Sequence, residues 1–289
     1  METRYEEEGL KERTREIEKS IIKRFRKEIW RPFVKALNEY EMIQEGDQIA
    51  VCISGGKDSM LLAKCMQEIL RHGKMEFGLK FLVMDPGYRE ENRKLIHENA
   101  RILGIPIHVF ETEIFDTVVD VEDSPCYLCA RMRRGNLYAN ARELGCNKIA
   151  LGHHFDDVIE TILMGILYGG QINTMMPKLH STNFQGMELI RPLYYVKEED
   201  ILDWKDYNGL HFLQCACRFT ERIAKEQAAR GMAGEAADIV HTSKRQEMKE
   251  LIRSLRKTSP FIDANIMKSV ENVNLDACIG YVSGGRRHH

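Results

Sequence analysis

The sequence predicts an α/β protein: a parallel sheet flanked by helices, with helical extensions at both ends. Two observations carry this. Short apolar runs alternate with helix-periodic segments from residue 48 to about residue 170. The first of those runs also passes through a glycine turn straight into a helix, and ligands of parallel sheets gather beyond strand ends of that kind.

Gln48 to Ile53 (QIAVCI) reads as the first, largely buried strand. Leu61, Leu62, Cys65, Met66 and Ile69 then recur at helical spacing over 60–70, and Gly73 closes that helix. Residues 79–84 (LKFLVM) form a second strand ending at Asp85-Pro86-Gly87, and 92–103 a helix stopped by Gly104. A third strand covers 105–110, a helix about 130–144 stops at Gly145, and a fourth strand covers 148–151. A further helix is expected over 158–168, before Gly169-Gly170. Helical character returns over about 218–257, interrupted by Gly231 and Gly234, and the last six residues read as a loose tail. The expected division is a helical extension over 1–45, the sheet domain over 46–217 and a helical region with tail over 218–289.

In the amino-terminal extension, Ile22, Phe25, Ile29, Phe33 and Leu37 make one apolar stripe, while Lys19, Lys23, Lys27, Arg31 and Lys35 track along another side. Pro32 kinks this helix or starts a new one. The basic row reads equally as a solvated face of a packed helix or as an RNA-facing stripe.

The chain has 289 residues and a formal charge of −2, so a nucleic-acid partner has to be held by a local basic patch. The charged first residues contain no secretory signal, and no apolar run reaches membrane-spanning length, which predicts a cytoplasmic protein without membrane contact. Structural disulfides are not expected in that compartment. Of the eight cysteines, Cys52, Cys65, Cys146 and Cys278 read as packing or incidental residues. Cys126-x-x-Cys129 and Cys215-x-Cys217 do not. The first pair reads as a zinc, redox or iron–sulfur site, and Arg131, Arg133 and Arg134 behind it favour thiolate or grip phosphate.

The turn itself, Ser54-Gly55-Gly56-Lys57-Asp58-Ser59, is the densest chemical signal. Two glycines admit a close backbone approach, and the helix start behind them offers free N–H groups to an anion. Lys57 adds a cation, Ser54 and Ser59 add hydroxyls, and Asp58 suggests a Mg²⁺ bridge to phosphate. The spacing is not that of a Walker loop. On the same sheet edge fall Asp85, read as a ribose or adenine contact or a turn former, and Gly152-His153-His154-Phe155-Asp156-Asp157. One of the two aspartates suits a helix cap, but two histidines and two carboxylates exceed what a cap needs.

The S-G-G-x-D-S turn resembles the pyrophosphate loop of the ATP pyrophosphatase superfamily, with its Rossmann-like PP-loop fold. With Cys126-Tyr127-Leu128-Cys129, the basic run to Gly135, Lys148 to Asp157, Leu167 to Gly170, Met176 to Lys178 and Ile190 to Leu193, the chain resembles the tRNA 2-thiocytidine synthetase family over about 39–218. The resemblance implies an enzyme that uses ATP, Mg²⁺ and a 4Fe–4S cluster to thiolate cytidine 32 of tRNA. ATP splits to AMP and pyrophosphate, the 2-oxygen is adenylated, and sulfide displaces AMP. It also implies a sulfur donor (a cysteine desulfurase or sulfide) and a homodimer.

Carried over by residue, the resemblance makes Ser54, Gly55, Gly56, Lys57, Asp58, Ser59, Asp85, Gly152 and His153 nucleotide contacts. Lys57, Asp58, Asp156, Asp157 and Arg133 are catalytic, with the two later aspartates handling Mg²⁺ or nucleotide. Cys126, Cys129 and Cys215 are the cluster ligands, with Cys217 or a four-cysteine set as alternatives, since the family's second pair has the longer C-x-x-C spacing. Two rival readings remain: the same adenylation on another tRNA base or small-molecule carbonyl, and a zinc- and nucleotide-binding RNA protein.

Overall fold

The run QIAVCI is buried along almost its whole length as strand β1 (Gln48–Ile53), the environment of a strand covered on both faces. The computed structural model describes residues 2–73, 75–114, 125–213 and 244–288, with side chains from residue 7 onward except at 125–127 and 129. Cys215, Cys217 and the first part of the expected 218–257 helical region lie outside the described residues.

Around β1 stand β2 (Gly78–Asp85), β3 (Ile107–Glu111), β4 (Lys148–Ala150), β5 (Lys178–His180) and β6 (Glu188–Ile190), in the order β3-β2-β1-β4-β6-β5. Every pair is parallel except β5 with β6. The antiparallel edge was not expected from the sequence, because two three-residue strands carry no usable periodicity. The chain builds outward through β2 and β3, then returns to the other side of β1 as β4. That reversal is a topological switch point, and a crevice opens there beyond the strand ends.

Helix α3 (Lys57–His72) follows β1, α4 (Glu90–Leu103) follows β2, and α5 (Pro125–Glu143) precedes β4. Alternation sorts the β1 side chains: Ala50 and Cys52 join Leu82, Ile149 and Leu189 against Tyr138 and Ala141 of α5. Helix α5 begins five residues earlier than the sequence suggested, which brings positions 126 and 129 into its first five residues.

Helix α1 (Glu2–Lys19) is followed by two π-helical turns, Ser20–Arg24 and Arg26–Trp30, and then by α2 (Arg31–Glu39), with Pro32 in its first turn. The π turns are marked by i→i+5 bonds, from Phe25 N–H to Ser20 O (2.8 Å) and Trp30 N–H to Phe25 O (3.2 Å). The buried stripe is Ile17, Ile21, Phe25, Ile29, Phe33 and Leu37. Ile22, assigned to that stripe from the sequence, is only half-buried, and the widened turns are the reason.

Buried ions fasten this helix to the sheet layer. Lys64 of α3 is fully buried and reaches Glu18 Oε1 (2.7 Å), Gln67 Oε1 (2.8 Å) and Leu103 O (2.7 Å), while Arg71 Nη1 closes on Glu18 Oε2 (2.9 Å). At the opposite strand ends, Lys148 sits between Asp47 Oδ2 (2.7 Å) and Glu188 Oε2 (2.9 Å). Both lysines are fully bonded, as buried charges require.

Contacts divide the chain into two units, 1–155 with 176–233, and 156–175 with 234–289. The sheet belongs to the first. The second holds most of α6 (Phe155–Gly169), α8 (Lys244–Arg256), α9 (Ile262–Glu271) and a hairpin of β7 (Tyr281–Ser283) and β8 (Arg286–His288); α7 (Glu198–Tyr207) lies in the first. The expected loose tail is thus a paired hairpin. Gly284 and Gly285 turn it with φ of +57° and +74°, the double positive φ of a type I′ turn.

Candidate active site

The loop after β1 closes on itself. Ser54 N–H donates to Ser59 Oγ (3.1 Å), the two serine hydroxyls lie 3.2 Å apart, and Ser59 Oγ donates to Gly56 O (3.0 Å). Ser59 is buried and shapes the loop from within. Gly55 holds φ +85°, and a Cβ there would stand 2.7 Å from Ile96 Cγ1, so glycine is needed for both conformation and space. Its carbonyl accepts from Leu213 N–H (3.2 Å). Gly56 is the N-cap of α3 and offers no side chain. The first N–H groups of α3 are therefore left to face an anion.

Lys57 Nζ stands between two carboxylates, 3.1 Å from Asp58 Oδ1 and 3.1 Å from Glu198 Oε1 in the first turn of α7. Burial pulls its pKa down, but Asp58 and then Glu198 outweigh this and hold it above the ordinary lysine value. The ammonium stays charged and in place. Glu198 was not foreseen: Glu198-Glu199-Asp200 reads as the acidic start of a helix, and 141 residues separate it from Lys57.

The loop after β4 comes against the same helix start. A Cβ on Gly152 would sit 3.0 Å from both Asp58 C and Ser59 N, so glycine is what allows this backbone approach. His154 is buried, with Nε2 3.9 Å from Asp58 Oδ1. The β1 and β4 loops, both on the switch-point edge, are thus joined as the strand order required.

Asp85 closes its own turn: Oδ1 accepts from Gly87 N–H (2.9 Å) and Tyr88 N–H (2.6 Å), and Oδ2 lies 2.5 Å from Arg93 Nε. The turn-forming role is the observed one. Asp156 and Asp157 belong to the second unit, where each is held by an arginine. Arg256 Nη2 is 2.5 Å from Asp156 Oδ1 and Arg245 Nη1 is 2.7 Å from Asp157 Oδ1. These α8 partners lie some 90 to 100 residues downstream, beyond any local pattern.

Positions 126 and 129 stand three residues apart at the start of α5. Two soft thiolates suit the irons of a cluster. Arg133 follows one turn on and is half-buried. By contrast, burial and the nearby Cys146 push the Cys52 thiol up to about 12, and burial raises Cys65 and Cys146 as well. Cys52, Cys65 and Cys146 are thus buried packing residues.

A family model described as a PP-loop domain matches residues 24–225. The tRNA-cytidine(32) 2-sulfurtransferase of Pelobacter propionicus is 35% identical over 243 residues, covering 83% of each chain. That of Geotalea uraniireducens is 34% identical, covering 83% of this chain and 88% of the relative. The chain belongs to the tRNA-cytidine(32) 2-sulfurtransferase family of PP-loop proteins. Among solved structures, the U34-tRNA thiolase NcsA of Methanococcus maripaludis, determined with its 4Fe–4S cluster, superposes with a TM-score of 0.61 at 19% identity. It covers 84% of this chain and 79% of that one, and shows the common fold. In this chain, Glu198 is the residue that meets the lysine of the β1–α3 loop.

Proposed function

We propose that the protein is an ATP-dependent tRNA sulfurtransferase that adenylates the 2-oxygen of cytidine 32 and replaces it with sulfur. The observation that carries this reading is the family membership, joined to a loop whose glycines, helix start and lysine suit a polyphosphate.

Gly55 and Gly56 let the backbone meet the β- and γ-phosphates of ATP, and the N–H groups at the start of α3 bind them. Lys57 offsets the charge that builds as the cytosine O2 attacks the α-phosphate and pyrophosphate leaves. Asp58, beside Lys57, holds Mg²⁺ against the phosphates. Gly152 and His153 close over the nucleotide, and Asp85 keeps the neighbouring turn in shape for it. Asp156 and Asp157, each paired with an arginine, are the further candidates for handling Mg²⁺ or nucleotide.

Cys126, Cys129 and Cys215 hold the 4Fe–4S cluster, which when bound supplies a nucleophilic sulfide. Sulfur then bonds to C2 while the C2–O bond breaks, and AMP departs with the electron pair, Arg133 stabilising its phosphate. A cysteine desulfurase or free sulfide provides the sulfur, the enzyme acts in the cytoplasm, and two chains associate. No helix is long and apolar enough to cross a membrane among the described residues.

The test is nucleoside mass spectrometry of unmodified tRNA incubated anaerobically with cluster-reconstituted protein, ATP, Mg²⁺ and sulfide. An ATP-dependent 2-thiocytidine product, lost in Cys126→Ala together with iron and acid-labile sulfide, is expected. AMP and pyrophosphate without thiocytidine would keep the loop chemistry and remove the acceptor.

A further inference from the structure

Residues 17–37 carry two interleaved series, both with a strict period of four. Ile17, Ile21, Phe25, Ile29, Phe33 and Leu37 are all buried, and Lys19, Lys23, Lys27, Arg31 and Lys35 are all exposed. In an α-helix four residues turn 400°, so such a series drifts by about 40° per step and winds around the helix. The π turns remove the drift. With i→i+5 bonding there are about 4.4 residues per turn, and four residues turn only about 330°. The α drift at the two ends is thereby offset in the middle. The apolar series stays in the core, and the cations stay in a row of up to about 24 Å.

The row is dense for a chain with a net charge of −2. Lys19, Lys23, Arg24, Arg26, Lys27, Arg31 and Lys35 stand here against Glu28 alone between positions 19 and 35. Lys35 pairs with Glu39 (3.5 Å). Lys19, Lys23, Lys27 and Arg31 have no ion pair among the described residues. Beside them Arg24 lies 5.2 Å from the centroid of the Tyr207 ring, which is 60% exposed. Cations in a row with an exposed aromatic at the edge are what a nucleic-acid strand requires, its phosphates meeting the charges and an unstacked base the ring. A membrane-surface helix needs an exposed apolar face, and the apolar face here is fully used by the core.

We propose that the exposed face of residues 19–35 is the docking surface for the phosphodiester backbone of the tRNA substrate. The proposal rests on the reading of the protein as a tRNA-modifying enzyme. The straightened cation row sets the path of the RNA over the sheet unit.

The full-length protein with K23E, K27E and R31E combined tests this, by fluorescence anisotropy with a tRNA transcript across a salt series. The expected result is a Kd raised by about tenfold or more at 0.15 M salt. The slope of log K against log salt becomes shallower by about 2 to 3, at 0.7–0.9 per lost contact. The milder K23Q, K27Q and R31Q combination moves both in the same direction and serves should the charge reversal unfold the protein. K23R with K27R retains binding. A charge-matched triple elsewhere, K94E, K257E and K268E, leaves Kd within about threefold of wild type, since dispersed charges are screened.

Unchanged affinity and slope in the row variants, or an equal loss in the charge-matched triple, overturns the proposal. So does a loss of binding to phosphatidylserine vesicles with tRNA affinity kept. If wild type thiolates cytidine 32 while the row variants match it in tRNA affinity, the surface is wrong and the enzyme reading stands. If wild type neither binds nor thiolates tRNA, the enzyme reading itself fails.

Discussion

Lys57 Nζ and Glu198 Oε1 are 3.1 Å apart, so the lysine of the β1–α3 loop is tied to the first turn of a helix 141 residues further on. With Asp58 on its other side, the ammonium is enclosed by two carboxylates before any phosphate arrives. Glu198→Gln removes one of them. The Lys57 pKa is held up by these charges, so the variant is expected to lower it. Pulse labelling of lysines with acetic anhydride, read by mass spectrometry against pH, should show the Lys57 midpoint moving down. The raised value also means that the pair's contribution to stability is complete below the ordinary lysine pKa and is lost as pH climbs past the folded one. An unmoved midpoint would sink the coupling.

Gly152→Ala places a methyl group 3.0 Å from backbone atoms of Asp58 and Ser59, which have no rotamer to yield. The start of α3 must shift. The expected cost is about 1–3 kcal/mol of stability, with a loss of ATP cleavage that exceeds any loss of fold. Urea unfolding and pyrophosphate release measure the two. Wild-type turnover in this variant would mean that the β4 loop is not part of the nucleotide site.

Asp200, in the first turn of α7, has its carboxyl pushed up to about 6 by burial and then by Glu199. The folded state therefore penalises its ionised form. That penalty is full above pH 6 and fades as pH falls toward the ordinary aspartate range. Asp200→Asn should stabilise the protein by about 1–2 kcal/mol at pH 7.5 and by little at pH 4. Denaturant melts at both pH values check this, and equal gains at both would contradict it.

Arg256 joins the buried Asp156 to Asp263, at 2.5 and 2.8 Å. Burial opposes its charge, but the two carboxylates hold its pKa above the usual arginine value. Arg256→Ala leaves the Asp156 carboxylate buried without this partner, at a cost of about 1–3 kcal/mol. Asp156→Asn in the same chain should recover part of that loss. A double-mutant cycle with no coupling would show the pair to be incidental.

Much of the sheet was legible because its strands are continuous apolar runs with glycine stops: β1 falls where QIAVCI puts it, and the helix after β2 ends at Gly104 as expected. The glycine turn from β1 into α3 was legible because its residues are six consecutive ones. What the sequence could not show lies in contacts between distant segments. Glu198 looks like an ordinary helix-start acid until α7 brings it to Lys57. Asp156 and Asp157 look like available carboxylates until α8 supplies Arg256 and Arg245. The π turns left a trace, the period of four, but an α template assigns Ile22 to the core in place of Ile21.

Each π turn is, in effect, one extra residue inserted into an α-helix. The segment between Ser20 and Trp30 therefore holds spare length. Deleting a single residue there relaxes one turn to α geometry, about 410° over five residues becoming 400° over four, so the helix before it turns by only about 10°. Ile17 keeps its place in the core and Glu18 its reach to Lys64, so a one-residue deletion is tolerable in this segment where in a plain α-helix it would swing the flank by about 100°.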